Sequence, residues 1–266
     1  MPSALKLSSP VPQESCRTDY GSFSLRLPGE DAFDDFFGWV YDLAEKVLPT
    51  NRPLELTKGR HYSHLWRHDS GITLESTPVE ERLSTYGHTL INVPGSCWGA
   101  LDASERRDLI WGIRYWPGFY KCTRWDAQVT SLNPPITISE VIDEVAKGRL
   151  WAARFSTQQA WERRTQDGSL AESPTQYFGS AQSDVRLRVY DHGVKWNWQV
   201  PSLRVEAQLR KDVADQHFRR CAQRCYDERH QEPLLVSMEE RTVKDTLGQT
   251  ADFRDTSRWV GRERPK

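Results

Sequence analysis

Apolar and polar positions alternate along several short segments of the chain, a pattern typical of half-buried β-strands. These segments are residues 20–27, 61–66, 72–75, 89–93, 120–130, 150–156, 176–179, 185–191 and 203–209. After the first of them, Phe33, Phe36, Val40 and Val47 recur at helical spacing. The pattern therefore predicts a mixed structure that opens with a strand followed by a helix.

Helical patterns cover residues 31–47, 103–113 and 138–147, and a longer one runs from residue 210 to about residue 229. Asp102 and Glu105 resemble a capping box at the start of the second. No internal repeat is visible, and residues 160–174 are polar enough to predict a loop. The order of elements predicts an α+β fold, an antiparallel β-sheet with helices packed mainly on one face, in a single domain.

The ends of the chain differ in composition from its middle. Residues 1–17 are rich in Ser, Pro and Gln and predict a disordered N-terminal arm. Residues 18–247 predict the folded domain, and residues 248–266 a polar C-terminal tail. No apolar run reaches the roughly 18 residues that a membrane helix needs, and no signal peptide is visible, so we expect a cytoplasmic protein without a membrane partner.

Composition narrows the function classes. The formal net charge of −1 argues against a protein that coats DNA indiscriminately, because such proteins are usually basic. The five cysteines are scattered and odd in number, which favours reduced thiols over a disulfide framework. The 11 tryptophans could stack on unpaired bases or fill a core, and core packing is the more common role.

Two of the expected strands carry charged and phenolic side chains at alternate positions. Arg186, Arg188 and Tyr190 share one face of residues 185–191, because side chains alternate along a strand. On the strand at residues 203–209, Arg204, Glu206 and Gln208 share a face in the same way. If the two strands pair, a phenol, several guanidinium groups and a carboxylate converge, as phosphoryl transfer to a tyrosine requires.

A further strand adds a second carboxylate. Arg124, Asp126 and Gln128 share a face of residues 120–130. Oxygen ligands from Asp126 and Glu206 would suit Mg²⁺ or Mn²⁺ better than zinc. Charged residues on the solvent face of a strand are also common without any site, so the pattern alone leaves both interpretations open.

The same residues resemble the signature of the replication initiation factor family, the tyrosine endonucleases of rolling-circle plasmids and related nickases of conjugative elements. The resemblance covers about residues 19–230, and it is dense only in the second half. A weaker likeness covers residues 20–23 and 119–130. The matching motifs are Tyr177-Phe178-Gly179-Ser180, Ser183-Asp184, Arg188-Val189-Tyr190-Asp191 and Arg204-Val205-Glu206.

The resemblance implies an activity and a set of roles. Tyr190 would attack an origin phosphodiester, leaving a 5′-phosphotyrosyl link and a free 3′-hydroxyl, with Arg188 beside the scissile phosphate and Asp126 and Glu206 supporting the metal. The implied partners are origin DNA, supercoiled or extruded as a hairpin, a host helicase and DNA polymerase, and a second copy of the chain in a homodimer. We expect the DNA-binding residues to be Arg124, Arg186, Arg204, His192, Trp196 and Trp198.

Two departures from the family pattern keep other functions open. Thr130 stands where an aspartate is usual, and His192 stands where a lysine is common. The same chemistry would serve the relaxase of a mobile element. A catalytically inactive DNA-binding regulator and an α+β interaction module remain as rivals. In the simplest of these cases Tyr190 is an ordinary strand tyrosine, and Trp196 and Trp198 close a sheet edge.

Overall fold

The computed structural model describes residues 15–50, 56–57, 62–77, 87–150, 155, 157–162, 173–196 and 200–227. The strands within these ranges are β1 (Ser15–Leu27), β2 (Leu56–Thr57), β3 (His64–Arg67), β4 (Thr73–Thr77), β5 (Gly87–Pro94), β6 (Phe119–Leu132), β7 (Gln158–Trp161), β8 (Thr175–Phe178), β9 (Val185–Tyr190) and β10 (Ser202–Arg210). The helices are α1 (Gly29–Val47), α2 (Gly95–Ala100), α3 (Ala103–Tyr115), α4 (Ile138–Ala146), α5 (His192–Trp196) and α6 (Lys211–Asp227).

The predicted fold class is confirmed. The strands form an antiparallel sheet accompanied by helices, a single-domain α+β fold. The capping box predicted at Asp102 is present, because its side chain accepts from the Glu105 backbone while the Glu105 side chain accepts from the Asp102 backbone. Among the described helices, none is long and apolar enough to cross a membrane.

Several sequence-based boundaries were wrong. β1 begins at Ser15, so the last three residues of the expected disordered arm are part of a strand. β7 lies partly in the segment that was expected to be a loop, because its four side chains are all exposed and show no apolar alternation. The short helices α2 and α5 were not expected. Most of the predicted strand at residues 150–156 and the whole of the tail at residues 248–266 lie outside the described residues.

Two compact units divide the described residues. The first unit contains those within Arg17–Asp126 and Leu209–Leu235. Its strands follow the order β2-β3-β4-β5-β1-β6. Aromatic rings fill its core, where Phe23 lies 4.8 Å from Phe218, and Trp125 lies 5.4 Å from Phe218 and 5.6 Å from Trp98 between ring centroids. These two tryptophans therefore serve as core residues.

The second unit contains the described residues within Met1–Cys16 and Ala127–Gln208, and its strands follow the order β6-β10-β9-β8-β7. Helix α4 packs Val141 and Val145 into an apolar core, and a second capping box at Thr137 fixes where the helix begins. The strand residues of this core are Ala127, Phe178, Leu187, Val189, Leu203, Val205 and Ala207. The residues between them on β9 and β10 therefore point to the opposite face of the sheet.

Among the described residues, each half of the chain begins with a strand and a helix and then supplies four further strands. In the first half, β1 and α1 precede four strands, and the last of these, β5, lies beside β1. In the second half, β6 and α4 precede four strands, and the last of these, β10, lies beside β6. The internal repeat that the sequence did not reveal is therefore present in the topology.

Candidate active site

Strands β9 and β10 present one polar face. Leu187 and Val189 of β9 belong to the apolar core, so Arg188 and Tyr190 point away from it. On β10, Val205 and its apolar neighbours face the same core, and Arg204, Glu206 and Gln208 lie opposite. Both rows of polar side chains are largely buried.

Tyr190, Arg188 and Glu206 are in mutual contact. One guanidinium nitrogen of Arg188 donates to the carboxylate oxygen Oε2 of Glu206, and the same nitrogen lies 3.4 Å from the Tyr190 hydroxyl oxygen. The Tyr190 hydroxyl donates to the same Oε2 over 3.4 Å. The guanidinium carbon of Arg188 also lies 4.6 Å from the centre of the Tyr190 ring, a cation–π contact. The three side chains therefore form one cluster around the phenol oxygen.

Glu206 is ionised although it is 0% exposed. Burial by itself would raise the pKa of this carboxyl group. The charge and hydrogen bond of Arg188, the hydrogen bond from Gln208 and the charge of Arg204 outweigh burial and hold the pKa of Glu206 below its ordinary value. A carboxylate that stays charged beside a phenol can both position its hydroxyl group and accept its proton.

Gln208, Arg204 and Thr130 surround this cluster. Gln208 donates to the second oxygen of Glu206 over 2.9 Å. The Nε of Arg204 donates to the Thr130 hydroxyl over 2.9 Å, and that hydroxyl donates to Gln128 over 2.9 Å. Thr130 thereby fixes the guanidinium group of Arg204, whose carbon lies 6.0 Å from the centre of the Tyr190 ring. Thr130 is neutral, and it orients the positively charged side chain of Arg204.

The end of β9 is anchored just after Tyr190. The Asp191 carboxylate accepts from the backbone of Gly193 over 2.8 Å and from the Ser202 hydroxyl over 3.0 Å. His192 is buried, and its ring centroid lies 5.9 Å from that of Tyr190. Sequence reasoning missed this anchoring, although an aspartate just before a helix is a local capping signal; only the bond to Ser202 depends on the fold.

The remaining DNA-binding predictions divide into two groups. The guanidinium carbon of Arg186 lies 3.7 Å from the centre of the Tyr177 ring on β8, and Tyr177 pairs directly with Arg188 across the strands. Arg186 is therefore beside the cluster. For Trp196 the backbone is described as part of α5 but the side chain is not, and Trp198 lies outside the described residues. The predicted stacking role of these two tryptophans stays a prediction.

Asp126 and Arg124 form a pair of their own in the first unit. The guanidinium group of Arg124 donates to both carboxylate oxygens of Asp126, and its Nε lies 3.0 Å from Oδ1. The same group covers the ring of Tyr20 at 4.4 Å, much as Arg188 covers Tyr190. Burial is the main reason why the pKa of Tyr20 is raised, and its hydroxyl donates to Asn92 over 3.1 Å. A phenol whose pKa is raised ionises less readily and is therefore less suited to nucleophilic attack.

The predicted metal ligands do not fit a divalent cation well. Both oxygens of Asp126 accept hydrogen bonds from Arg124, and both oxygens of Glu206 accept them from Arg188 and Gln208. Each carboxylate is thus already balanced by a guanidinium group. Among the described residues, no group of three or more His, Cys, Asp or Glu side chains could hold a metal ion. Positive charge near Tyr190 is present on the side chains of Arg188 and Arg204.

Comparison with known proteins identifies a related fold. A rolling circle replication initiator protein from Geobacillus stearothermophilus aligns with a TM-score of 0.59 and 15% sequence identity over 89% of this chain and 98% of that one. DynU16, from the dynemicin biosynthetic locus, aligns over 87% of this chain and 98% of that one, with a TM-score of 0.23 and 12% identity, and similarity at that level does not indicate a shared fold. No protein-family model matches the chain, and no curated protein matches it significantly. The fold of this chain therefore resembles that of a rolling-circle replication initiator.

Proposed function

We propose that the chain is a rolling-circle replication initiator that nicks and rejoins one strand of origin DNA through Tyr190. The observation that carries the proposal is the contact of Tyr190 with Arg188 and Glu206 on two neighbouring strands. The likeness of fold to the Geobacillus stearothermophilus initiator supports it. The motifs around Tyr190 that resemble the replication initiation factor family support it independently of that fold.

In the nicking step, the Tyr190 oxygen attacks the phosphorus atom of one phosphodiester. The new bond joins that oxygen to phosphorus, and the bond from phosphorus to the 3′-oxygen breaks. The proton of the phenol passes to Glu206, the carboxylate within hydrogen-bonding distance, and the 3′-oxygen leaves as a hydroxyl group after taking a proton from water. The products are a 5′-phosphotyrosyl link and a 3′-hydroxyl that a polymerase can extend.

In the rejoining step, the same atoms react in reverse. A 3′-hydroxyl attacks the phosphotyrosyl phosphorus and loses its proton to water, the bond to the Tyr190 oxygen breaks, and Glu206 returns its proton to the phenolate. Because one phosphodiester replaces another, the cycle needs no nucleotide hydrolysis. The enzyme therefore both cuts and seals the strand.

Arginine side chains supply the positive charge for both steps. Arg188 contacts the nucleophilic oxygen itself, and Thr130 fixes Arg204 beside the ring. Cations held in place before the reaction stabilise the negative charge that develops on phosphate oxygens. Gln128 adds a neutral donor, since its buried side-chain nitrogen has no hydrogen-bond partner among the described residues. The predicted requirement for Mg²⁺ or Mn²⁺ stays a prediction, and neither the nicking step nor the rejoining step is written through a metal ion.

The partners of the proposed enzyme follow from the reaction. Its substrate would be supercoiled origin DNA or an extruded hairpin, and a host helicase and DNA polymerase would use the nick. The resemblance to the replication initiation factor family also implies a homodimer. The relaxase of a conjugative element would carry out the same chemistry on a transfer origin, and the DNA that is cut distinguishes the two.

The experiment that tests the proposal uses supercoiled plasmid carrying the DNA around the gene of this protein. We expect relaxation by the wild-type protein, with protein attached to the 5′ end, and no relaxation by Tyr190→Phe. Tyr41→Phe is the matched control, because it removes the same hydroxyl group from helix α1 of the other unit. Parallel reactions with Mg²⁺, Mn²⁺ or EDTA test the metal requirement. Equal relaxation by Tyr190→Phe would contradict the proposal.

A second candidate is a DNA-binding regulator that does not cleave. It is favoured by the burial of Tyr190, which is 6% exposed in this conformation. A regulator would bind the DNA around its gene with a salt-dependent affinity that Tyr190→Phe leaves unchanged, and it would cut none of it. The plasmid assay separates the two candidates, because only the first produces a covalent DNA adduct.

A further inference from the structure

Exposed aromatic rings are concentrated along one stretch of the chain in the first unit. Of the large hydrophobic side chains exposed among the described residues, three lie close together along the chain, Trp111 (44%), Tyr115 (42%) and Tyr120 (44%). The rings of Trp111 and Tyr115 are 5.4 Å apart on helix α3. Tyr120 lies near the start of β6, a few residues after that helix ends. The other described large rings of this unit are buried or half-buried, so the exposure of these three calls for a function.

Cationic side chains lie between these rings. Arg114 lies 5.2 Å from the Tyr115 ring and 5.5 Å from the Phe119 ring, and Arg219 of α6 lies 5.2 Å from the Phe119 ring. Arg219 also donates to the backbone carbonyl of Tyr120 over 3.0 Å. We call this set of residues the aromatic strip, and its members are Arg26, Trp111, Arg114, Tyr115, Phe119, Tyr120, Lys121 and Arg219.

A tight turn completes the aromatic strip. Gly118 has a φ of 88°, and a Cβ atom there would lie 2.3 Å from the Arg26 carbonyl oxygen. The Arg26 backbone donates to the Gly118 carbonyl over 2.8 Å. This contact brings the guanidinium group of Arg26 to 3.9 Å from the Tyr120 ring. Position 118 therefore accepts only glycine, and the turn that contains it holds the end of β1 against the start of β6.

We propose that the aromatic strip binds single-stranded DNA. Exposed rings are sequence-tolerant stacking platforms for unpaired bases, and cations between them meet the phosphates. Asp215 pairs with Arg219 over 2.7 Å and balances its charge, so attraction for phosphate rests on Arg26, Arg114 and Lys121. A duplex hides its base faces and would leave the exposed rings unused. The positive charge suits the phosphates of a single DNA strand, and the exposed rings suit its unpaired bases.

This surface is separate from the nicking chemistry. All of its residues belong to the first unit, whereas Tyr190, Arg188 and Glu206 belong to the second. Binding at the strip requires no covalent step and no origin sequence. The proposal therefore goes beyond the proposed function and can be tested in a protein that cannot nick.

The first test measures binding of Tyr190→Phe protein to a fluorescent oligothymidylate of about 20 nucleotides by anisotropy, a length that exceeds the usual site of a small binding surface. Adding Trp111→Ala or Tyr120→Ala is expected to raise the Kd about tenfold, as the loss of one stacked base does. Trp111→Phe retains a ring and is expected to restore most of the affinity. The matched control is Trp161→Ala, which removes an equally exposed ring (43%) from β7 in the other unit and should leave the Kd unchanged.

The second test measures how the Kd depends on salt. Arg26→Gln should lower the slope of log K against log salt by about 0.7, the value for one lost phosphate contact on a single strand. Thermal melting of each variant shows whether it is folded, and we expect unchanged midpoints for the exposed positions.

The outcomes separate this proposal from the proposed function. Unchanged oligothymidylate binding in the Trp111 and Tyr120 variants, or an equal loss in Trp161→Ala, would overturn the aromatic strip as a binding site, whatever the plasmid assay shows. Selective loss in the strip variants would support it even if the protein never cuts DNA. A surface that serves a protein partner would give the first of these results.

Discussion

Glu206 is the residue on which the candidate site most depends. A buried carboxylate is costly unless it is paired and hydrogen-bonded, and this one accepts from Arg188, Tyr190 and Gln208. Removing its charge would leave the Arg188 guanidinium group without its counter-ion and the phenol without a nearby proton acceptor. The same carboxylate therefore holds the geometry and takes part in the chemistry.

We predict that Glu206→Gln lowers the nicking rate about 100-fold or more, since positioned proton acceptors contribute about that much. Glutamine has nearly the same shape but no charge, so the loss should appear in the rate of adduct formation more than in DNA affinity. Gel assays of single-turnover cleavage measure it. Glu140→Gln, at the exposed start of α4, is the control. A variant that cleaves at the wild-type rate would show that Glu206 is only structural.

His217 gives a prediction for stability against pH. Burial, and to a smaller extent the charge of Arg220, lowers the pKa of this histidine to about 4 from an ordinary 6.5. Between about pH 6.5 and pH 4, His217 is protonated in the unfolded chain but neutral in the folded chain. The folded state therefore loses stability as the pH falls from about 6.5 towards 4. At pH 5 the loss should be about 2 kcal/mol relative to pH 8.

Urea unfolding of the wild-type protein and of His217→Gln at pH 8 and pH 5 measures this difference. Carboxylates contribute equally in both proteins, so the comparison isolates the histidine. The variant is expected to lose about 2 kcal/mol less than the wild type on acidification. The same loss in both proteins would mean that His217 does not titrate in this range.

At the scale of elements, the periodicity of apolar residues predicted those strands and helices that pack one apolar face against the core. The strands at β9 and β10 and helix α4 bury apolar residues at regular spacing, so their faces could be assigned from the sequence. β7 carries only exposed residues and is defined by its pairing with β8, which local sequence does not encode. Helix α5 depends on Asp191 and Ser202 coming together across the chain. Elements held by distant partners were therefore missed.

The turn between α3 and β6 provides an element-scale prediction. Gly118→Ala should destabilise the protein by about 2 kcal/mol or more, because a side chain there would adopt a positive φ and collide with the Arg26 carbonyl. Gly38→Ala is the matched control. It lies within helix α1 with nothing within 4 Å of the added atom, and it should stabilise the protein by about 0.5 to 1 kcal/mol.

Chemical denaturation of both alanine variants compares these two effects in one protein. A loss at Gly118 that is no larger than the change at Gly38 would contradict the role assigned to the turn. It would also weaken the explanation of how Arg26 reaches Tyr120.

At the scale of the whole molecule, the sequence predicted the class of fold and the face that carries the site. Alternation placed Arg188 with Tyr190 and Arg204 with Glu206, and the structure brings the two rows together. The alternation of side chains along a strand does not determine which other side chains they contact. The metal role expected of Asp126 stays a prediction, and in the structure both of its oxygens accept hydrogen bonds from Arg124, two residues away on the same strand. Thr130, which stands where an aspartate is usual in the family pattern, orients Arg204.

The internal repeat was also invisible in the sequence. Strand order repeats between the halves of the chain while their residues do not, because many sequences satisfy one pattern of apolar and polar positions. A Tyr–Arg–carboxylate cluster occurs in each unit, around Tyr190 in one and around Tyr20 in the other. Only the first places the phenol hydroxyl on the carboxylate itself. This difference is the reason for assigning the chemistry to Tyr190.

The most direct test of that assignment is to identify the residue that becomes attached to DNA. The protein is incubated with a single-stranded oligonucleotide from its origin that cannot be rejoined, and the adduct is digested and sequenced by mass spectrometry. We expect a 5′-phosphate linked to the Tyr190 oxygen, and no adduct from Tyr190→Phe. An adduct on Tyr20 or on any other residue, or one that persists in Tyr190→Phe, would contradict the account.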